Sequence, residues 1–498
     1  MMDVRHPRRW LILVVLCLST LVLVIDNMAL NVAIPPLTED LKASAQDIQW
    51  IIDSYILVFA GLLLTSGSLS DRFGRRKVMM IGLALFGVAS LVAAYAGSPG
   101  QLIAARVVMG VGGALVMPGT LSILITVFDD TERRKAMSVW SSVAMLGMVG
   151  GPVVGGLLIA QFWWGAVFLI NVPIAIGAIV AAVVWMPESR GPWQKPDPLG
   201  AILSAVGLTA LVWVIIELPQ HGLSVPAAIV AVAGLAGFVV WELRTPYPMV
   251  PLGLFRNRNF SGGSLSLTLV QVGNGGLLLV LTQYLQFVLG YTPTQTGLAF
   301  IPMAVAVLAF NTLGATLGQK IGNRPMTAAG LVVMAAGFGV LAIVSPADGF
   351  VVPATALVLI GAGSGLAMPA AIGALMGEVP AEQAGVGSAL NDTIQQAGAA
   401  LGVAVLGSVL AAGYTGGMPD SASDQARRSI ADALGIAART SDAGLAEAAR
   451  EAFTAGMSTT FLFGACGVLA AALLAVLVMR DRTASAAQDA QADALVTH

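Results

Sequence analysis

Apolar stretches of about 20 residues recur along nearly the whole chain, and short segments that hold most of the Lys, Arg, Asp and Glu residues separate them. About 20 apolar residues are enough for a helix to cross the hydrocarbon core of a bilayer. A membrane β-barrel would instead show alternating segments of roughly 10 residues, which this chain lacks. The pattern therefore predicts an all-α polytopic membrane protein. Fourteen spans fit it best: 10–34, 48–69, 78–97, 101–127, 135–160, 165–186, 198–218, 224–243, 261–289, 296–318, 326–345, 351–376, 386–412 and 457–479.

The composition supports the same class. Of the 498 residues, 57% are hydrophobic and 10% are charged, whereas a soluble domain is usually about 25% charged. The net charge of −2 gives no reason to expect a nucleic-acid partner. Cys17 and Cys466 lie in apolar runs, so we interpret them as core residues and expect neither a disulfide nor a metal site. The basic and then apolar N-terminus resembles a signal peptide, but its apolar run continues to Pro35, which indicates an uncleaved first span.

Lys and Arg residues collect on one side of the predicted spans. With the N-terminus inside the cell, 19 of the 25 Lys and Arg residues fall in cytoplasmic segments, and the short outer loops hold only Lys42. Cytoplasmic loops of membrane proteins carry this excess of positive charge. We therefore expect both termini on the cytoplasmic side of a bacterial cytoplasmic membrane. The Ala-, Gly- and Val-rich composition favours the bacterial source.

The chain contains an internal repeat. Residues 110–124 (GVGGALVMPGTLSIL) match residues 361–375 (GAGSGLAMPAAIGAL), 251 positions further along, and residues 68–78 resemble residues 316–326, 248 positions further along. This offset is longer than six spans require, and the additional length corresponds to two extra spans between the halves. This predicts a bundle of six helices over 1–190, two inserted helices over 191–258 and a second six-helix bundle over 259–498. The last bundle carries a long outer loop, 413–456, whose apolar spacing suits one or two short amphipathic helices on the outer surface. We interpret it as a solvated connector rather than a binding element.

Several motifs resemble those of one family. They are GSLSDRFGRRK (67–77, motif A), LIAARVVMGVGGALVMP (102–118, motif B), GMVGGPVVGGLL (147–158, the antiporter motif C), VIDNMALNVAIP (24–35) and YLQFVLGYTPTQTGLAFIP (284–302). They are similar to motifs of the major facilitator superfamily, in particular of its fourteen-helix drug:proton antiporters. The resemblance implies two six-helix bundles plus two extra helices, 14 in total, with the substrate site between the bundles. It also implies antiport by alternating access, driven by the proton gradient without any cofactor.

Motif A predicts a conformational latch on the cytoplasmic face. Asp71 is expected to cap the start of a helix in the other half, and Arg76 to pair with Asp129 or Asp130. Anchoring by positive charge explains part of the pattern, and Gln319 replaces Asp71 in the second repeat. The predicted latch residues are Gly67, Asp71, Arg72, Gly74, Arg75, Arg76 and Asp129.

Motif C places poor helix formers inside a span. Glycines at 147, 151 and 155 share one helix face, so another helix can approach closely, and a proline bends the helix. We expect a tight seam between the two bundles; the alternative is that Gly and Pro are simply common in membrane helices. The predicted antiporter-motif residues are Gly147, Gly151, Pro152, Gly155 and Gly156.

Ionisable residues inside spans are expensive and are functional by default. Burial disfavours the charged form of a carboxylate, so such an acid can take up a proton from outside and release it inside. The predicted proton-coupling residues are Asp26, Asp53, Arg106 and Asp392. Asp53 could instead be an interfacial residue at a helix start, and Arg106 could clamp backbone carbonyls.

Polar and aromatic residues in otherwise apolar spans are predicted to line the substrate cavity. They are Asn27, Asn31, Tyr55, Trp140, Gln271, Asn274, Gln283, Asn391 and Gln395.

The favoured function is proton-coupled export of lipophilic, including cationic, drugs or metabolites. Alternatives are a dedicated exporter of one metabolite, antibiotic or lipid, a proton symporter, and a non-transporting receptor. No nucleophile–base set, metal-ligand cluster or ATP-binding motif appears in the sequence, so we do not expect an enzyme. The expected partners are the lipid bilayer, a small lipophilic substrate and protons, without nucleic acid, and the expected state is a monomer.

Overall fold

The computed structural model describes residues 7–43, 45–191, 197–246, 248, 250, 252–346, 349–380 and 384–480. Throughout these ranges the regular structure is helical, and no strand occurs in them. The predicted all-α class is therefore confirmed. The helices are α1 (Arg9–Asp40), α2 (Ala45–Phe73), α3 (Arg75–Ala94), α4 (Pro99–Val127), α5 (Asp130–Gln161), α6 (Ala166–Leu169), α7 (Asn171–Trp185), α8 (Pro198–His221), α9 (Val225–Glu242), α10 (Arg258–Gln283), α11 (Pro293–Ala299), α12 (Ile301–Ile321), α13 (Asn323–Ala342), α14 (Val351–Met376), α15 (Ala384–Gly417), α16 (Asp424–Arg428), α17 (Ile430–Thr440) and α18 (Ala443–Val478).

Twelve helical segments of the described chain are long and apolar enough to cross a membrane. They include α6 and α7 taken together, and α10 with the short π-helix Tyr284–Val288 that continues it. The 32-residue helix α5 and the 24-residue helix α8 are not among the twelve. The chain is thus a multi-pass membrane protein, and the count of fourteen spans stays a prediction.

Two large apolar cores organise the helices. One core is built from α1–α7, and the other from α10–α18. Helices α8 and α9 pack on each other, and α8 also lies against α2 and α15. The rings of Trp50 on α2 and Trp213 on α8 have centroids 4.8 Å apart. The domain boundaries near 190 and 258 stay a prediction.

The internal repeat is visible in how the helices cross. A Cβ added at Gly112 on α4 would lie 2.8 Å from the carbonyl oxygen of Gly82 on α3. The equivalent Cβ at Gly363 on α14 would lie 2.5 Å from the carbonyl oxygen of Gly330 on α13. Gly112 and Gly363 are 251 positions apart in the sequence, and Gly82 and Gly330 are 248 positions apart. These are the two offsets of the internal repeat. The same glycine-to-backbone contact therefore sets both crossings, because only a residue without a Cβ allows helices to approach this closely.

The segment 413–456 differs from the long loop predicted for it. Helix α15 continues to Gly417 and α18 already begins at Ala443, so the connection between them is much shorter. That connection carries α16 and α17. The Tyr414 hydroxyl donates to the carbonyl of Ala426 at 2.9 Å, which ties α16 to the end of α15. The segment is a folded cap on the second half because its apolar positions pack against that half's core.

Candidate functional site

The closest approach of α4 to α2 positions a buried arginine. A Cβ added at Gly110 on α4 would lie 2.8 Å from the carbonyl oxygen of Tyr55 on α2. One turn earlier on α4, Arg106 Nε donates to the carbonyl of Ile51 at 3.1 Å. The Arg106 guanidinium carbon lies 4.3 Å from the centroid of the Tyr55 ring, an arrangement typical of cation–π attraction. Arg106 is therefore anchored on α2, as the clamp hypothesis expected.

The same arginine also pairs with an acid on α1. Arg106 Nη1 donates to Asp26 Oδ2 at 2.5 Å. Asn171 Nδ2 on α7 donates to the other carboxylate oxygen, Oδ1, at 2.7 Å. All three side chains are fully buried. Two of the predicted coupling residues are thus brought into direct contact, which a buried charge requires if it is not to be very costly.

Sequence reasoning missed Asn171. It stands alone in the apolar run FLINVPIAIG (168–177), so the filter that selected the other intramembrane amides would have found it. Asn311 on α12 was missed in the same way.

Asp392 has a different environment from Asp26. It is buried on α15, and its Oδ1 accepts a hydrogen bond from Asn391 Nδ2 at 3.1 Å. Among the residues that the structure describes, no cation pairs with it and Oδ2 has no partner. The side chain of Asp53 lies outside the described residues, so its assignment stays a prediction.

Four neutral polar residues form a hydrogen-bonded row through the second half, which we call the amide chain: Gln395, Gln271, Asn274 and Ser364. Gln271 Nε2 donates to Gln395 Oε1 at 3.4 Å, and Asn274 Nδ2 donates to Gln271 Oε1 at 3.3 Å. Ser364 Oγ donates to Asn274 Oδ1 at 3.3 Å. The row joins α15, α10 and α14, and its three amide side chains are half-buried. It offers hydrogen-bond donors and acceptors without a formal charge.

Some predicted cavity residues do not face an open cleft in this structure. Tyr55 stacks on Phe59 with ring centroids 5.6 Å apart, and Trp140 Nε1 donates to Thr20 Oγ1 at 2.8 Å. Both aromatic side chains are buried in the core of the first half, because their polar atoms and rings find partners there. Their assignment as lining residues therefore stays a prediction.

The other cavity assignments give a mixed picture. Asn27 donates to the carbonyl of Leu23 on its own helix at 3.1 Å. Gln283 is half-buried near the end of α10, and Asn391 is fully buried. The side chain of Asn31 lies outside the described residues.

A carboxylate joins the two halves at the end of α2. Asp71 Oδ1 and Oδ2 accept from the backbone N–H groups of Gly385 and Val386, each at 3.1 Å. These groups belong to the first turn of α15, where unsatisfied N–H groups and the helix dipole favour an anion. Arg75 Nε donates to Asp71 Oδ1 at 2.8 Å and holds the carboxylate from the other side. We call the membrane face at which Asp71, Arg75 and the first turn of α15 lie the basic face.

The backbone around Asp71 leaves no room for larger residues. A Cβ added at Gly67 would lie 2.5 Å from the Ala389 Cβ on α15. Gly74 has φ +112°, a conformation that favours glycine, and it is the N-cap of α3, where an added Cβ would meet the Glu188 carboxylate. Both glycines of motif A therefore serve close approach and a sharp turn.

The structure does not pair Arg76 with Asp129, and the side chain of Asp130, the other predicted partner, lies outside the described residues. The Arg76 backbone N–H donates to Glu188 Oε1 at 3.0 Å, and its Nη1 donates to the carbonyl of Met186 at 2.8 Å. Asp129 instead caps α5 by accepting from the Glu132 backbone N–H at 2.8 Å. The segment after α7 folds back over the start of α3, so Met186 and Glu188 contact Arg76 there. The guanidinium of Arg72 lies over the ring of Phe73, 5.0 Å from its centroid.

Helices α5 and α12 make a second polar contact between the halves. Ser138 Oγ lies 3.2 Å from Thr312 Oγ1, and Asn311 Nδ2 donates to Ser141 Oγ at 2.5 Å. These contacts lie between the start of α5 and its middle, and α5 starts on the basic face. Together with Asp71, they hold the two halves together on that side.

The motif C glycines pack against α1. A Cβ added at Gly151 would lie 2.5 Å from the Met28 Cβ, and one at Gly155 would lie 2.9 Å from the Ala29 Cβ. The seam therefore lies inside the first half, which corrects the expected seam between the bundles.

The seam lies here because the glycine face of α5 packs against α1, whereas Ser138 and Ser141 of α5 contact α12. Gly147 continues the glycine face, with Leu21 as its neighbour on α1. Gly156 is half-buried, and the Pro152 side chain lies outside the described residues. The seam flanks Asp26 and so helps to set its position.

The fold and this site are those of a helical membrane transporter with a duplicated bundle and a buried acid–arginine pair. The sequence model of the Major Facilitator Superfamily matches residues 16–403. The chain belongs to this superfamily, which confirms the resemblance seen in the motifs.

Curated relatives are efflux and resistance proteins. The chain is 35% identical to the multidrug efflux pump LfrA of Mycolicibacterium smegmatis over 96% of this chain and 97% of the relative. It is 33% identical to the methyl viologen resistance protein SmvA of Salmonella typhimurium, covering 82% and 84%. It is 31% identical to the tetracenomycin C resistance and export protein of Streptomyces glaucescens, covering 83% and 78%.

Solved structures agree in fold. The human organic anion transporter MFSD10 matches with a TM-score of 0.65 at 16% identity, covering 94% of this chain and 100% of that one. The proton:xylose symporter XylE matches with a TM-score of 0.61 at 15% identity, covering 96% and 97%. At this identity the likeness supports the fold alone.

Proposed function

We propose that this protein is a proton-coupled antiporter that exports lipophilic, including cationic, compounds across the bacterial cytoplasmic membrane. The observation that carries the proposal is the fully buried pair of Asp26 and Arg106. An ionisable pair at membrane depth is costly, and it is a functional site by default. The efflux and resistance names of the relatives support export as the direction.

The topology we propose has fourteen spans with both termini in the cytoplasm. At 1.5 Å per residue, α5 would be about 48 Å long and α8 about 36 Å, and both exceed the roughly 30 Å of hydrocarbon. Adding them to the twelve apolar segments gives the predicted number. The collection of Lys and Arg on one face supports a cytoplasmic basic face. The protein would act as a monomer, without a cofactor and without enzymatic activity, and would draw its energy from the proton gradient.

In the proposed cycle, the two halves have different tasks. Asp26 exchanges its proton, and Arg106 compensates the negative charge when the proton leaves. Protonation weakens the ion pair, which frees α1 to move relative to α4. The latch of Asp71 on α15, with Gly67, Arg72, Gly74, Arg75 and Arg76 around it, closes the basic face and must open once per cycle.

For substrate contact we propose the second half. The amide chain supplies neutral donors and acceptors that suit lipophilic compounds of varied structure. Asp392, which has no cation partner among the described residues, would meet either a proton or a positively charged substrate. A dedicated exporter of one compound is the second candidate, because several relatives are named for single antibiotics.

The test uses purified protein in vesicles that contain a pH-sensitive dye. Methyl viologen as a cationic probe and a panel of neutral lipophilic compounds are added under an imposed proton gradient. We expect substrate-dependent proton movement in the wild type and its loss in Asp26→Asn. Asp424→Asn, which changes an exposed acid on α16, is the matched control and should behave as wild type. Unchanged coupling in Asp26→Asn would contradict the proposal, and transport of one compound only would favour the dedicated exporter.

A further inference from the structure

Asn171 stands at an interruption between two helices. The short helix α6 ends at Leu169 and α7 begins at Asn171. Pro173 lies in the first turn of α7, where its missing N–H costs little and its fixed φ suits a helix start. The restart of the helix at this position leaves the Asn171 side chain fully buried in the first half.

The amide nitrogen of Asn171 makes two hydrogen bonds. It donates to Asp26 Oδ1 on α1 at 2.7 Å and to Ser90 Oγ on α3 at 3.2 Å. Because an ionised carboxylate only accepts hydrogen bonds, the amide must turn its nitrogen toward Asp26. The amide oxygen has no partner among the described residues. The described bonds of the side chain are thus made by its donor end, and the shorter of them goes to Asp26.

The groups described around Asp26 are mostly neutral or apolar. Helix α4 contributes Arg106, whose Nη1 donates to Oδ2 and whose Nη2 is buried without a partner among the described residues. Helix α2 contributes Tyr55, whose ring lies against the guanidinium, and α3 contributes the neutral Ser90. On α5 the facing residues are glycines, and α6 is apolar. The side chain of Asp53 lies outside the described residues. Asn171 is therefore the one donor described on Oδ1.

We propose that Asn171 is a positioning residue for Asp26: its amide holds the carboxylate against Arg106 and sets the pH at which Asp26 takes up a proton. The inference deepens the proposed function and rests on it. A hydrogen bond to an ionised acceptor is roughly twice as strong as one between neutral groups. Protonation of Asp26 therefore weakens the contact between α1 and α7, while the bond from Asn171 to Ser90 stays. Asn171 thus links the protonation state of α1 to the packing of α7.

The test reads the protonation of Asp26 directly. In purified protein, infrared difference spectra give the carbonyl band of protonated carboxyl groups as a function of pH, and Asp26→Asn assigns the band. In Asn171→Leu the charged carboxylate loses a donor, so half-protonation should move to higher pH by about one unit or more. In Asn171→Ala the donor is removed without adding bulk or charge, so the midpoint should shift in the same direction. The midpoints of both variants are expected to lie above that of the wild type.

The matched control is Thr460→Val, which removes another fully buried hydrogen-bonding group, one that donates to the Gly456 carbonyl within α18 of the second half. Its midpoint should equal that of the wild type. A Leu variant of Asn171 with the midpoint of this control would overturn the proposal. If the Leu variant does not fold, Asn171→Ala decides, because a midpoint at or below that of the wild type contradicts the inference.

The pH profile of transport in vesicles should move in the same direction as the infrared midpoint. If the wild type moves no protons across the membrane, the proposed function fails, yet the infrared titration still measures the effect of Asn171. If the wild type does move protons but substitutions of Asn171 leave the Asp26 midpoint unchanged, only the inference is contradicted. The two failures are therefore distinguishable.

Discussion

The polar centres of the two halves are built from different chemistry. In the first half, Asp26 and Arg106 form a fully buried ion pair. In the second half, the residue that aligns with Arg106 in the internal repeat is Leu357, which is buried in the apolar core. The polar groups there are the half-buried amide chain and the isolated Asp392. Duplication therefore kept the glycine contacts that set the helix crossings, and the charges diverged.

This difference supports the proposal that the two halves have different tasks in transport. A charged pair in a dry environment responds strongly to the gain or loss of one proton, because neutralising one partner leaves the other uncompensated. Neutral amides respond little to pH, and they can rearrange their hydrogen bonds around different compounds. Proton exchange therefore fits the first half, and contact with varied substrates fits the second.

The largest expected effect comes from breaking the ion pair. Arg106→Leu leaves Asp26 buried without its cation and should lower the free energy of unfolding by about 3–5 kcal/mol. Adding Asp26→Asn to this variant should recover part of the loss, because no uncompensated charge remains. Thermal unfolding in detergent measures the cycle. Additive effects of the two substitutions would show that the pair is not coupled.

The seam between α1 and α5 should give the next largest effect. Gly151→Leu forces a side chain against Met28 and should cost about 1–3 kcal/mol and impair transport, with the protein still inserted. Gly150→Leu is the matched control, because a Cβ at that position meets nothing within 4 Å. Transport assays normalised to membrane content measure both. Equal transport by the two variants would discredit the packing role of motif C.

The latch should show a smaller effect on conformation. Asp71→Asn removes the negative charge from the first turn of α15, and the balance should shift toward opening of the basic face by about tenfold. The labelling rate of a cysteine placed at the α2–α15 contact measures the opening. Asp420→Asn, an exposed acid outside the latch, should leave the rate unchanged. A rate in Asp71→Asn equal to this control would contradict the latch.

The smallest effect is expected in the second half. Gln271→Leu interrupts the amide chain and should weaken the apparent affinity for substrates by about fivefold, in line with roughly 1 kcal/mol per neutral hydrogen bond. The pH dependence of transport should stay as in the wild type, because no charge changes. Transport rates measured against substrate concentration and pH separate the two quantities. A shifted pH profile in Gln271→Leu would contradict the assignment of proton exchange to the first half alone.

Sequence reasoning located Asp26 and Arg106 as separate candidates, because a charge stands out in an apolar run. It could not pair them, since 80 residues separate them and either could have met another partner. It also expected Arg76 to meet Asp129 or Asp130, whereas the segment that follows α7 brings Glu188 to Arg76. The filter that selected the other intramembrane amides would have found Asn171, but only the structure shows that it meets Asp26.

The amino-acid sequence by itself determined the helical membrane class, the duplication and the motifs that define the superfamily. These follow from local properties: the length of apolar runs, the spacing of glycines and the sidedness of positive charge. Only the tertiary structure decided that motif C packs on α1, that Asp71 meets α15 and that Asn171 completes the site of Asp26. These contacts join residues far apart in the chain, and their choice depends on which helix faces can approach closely.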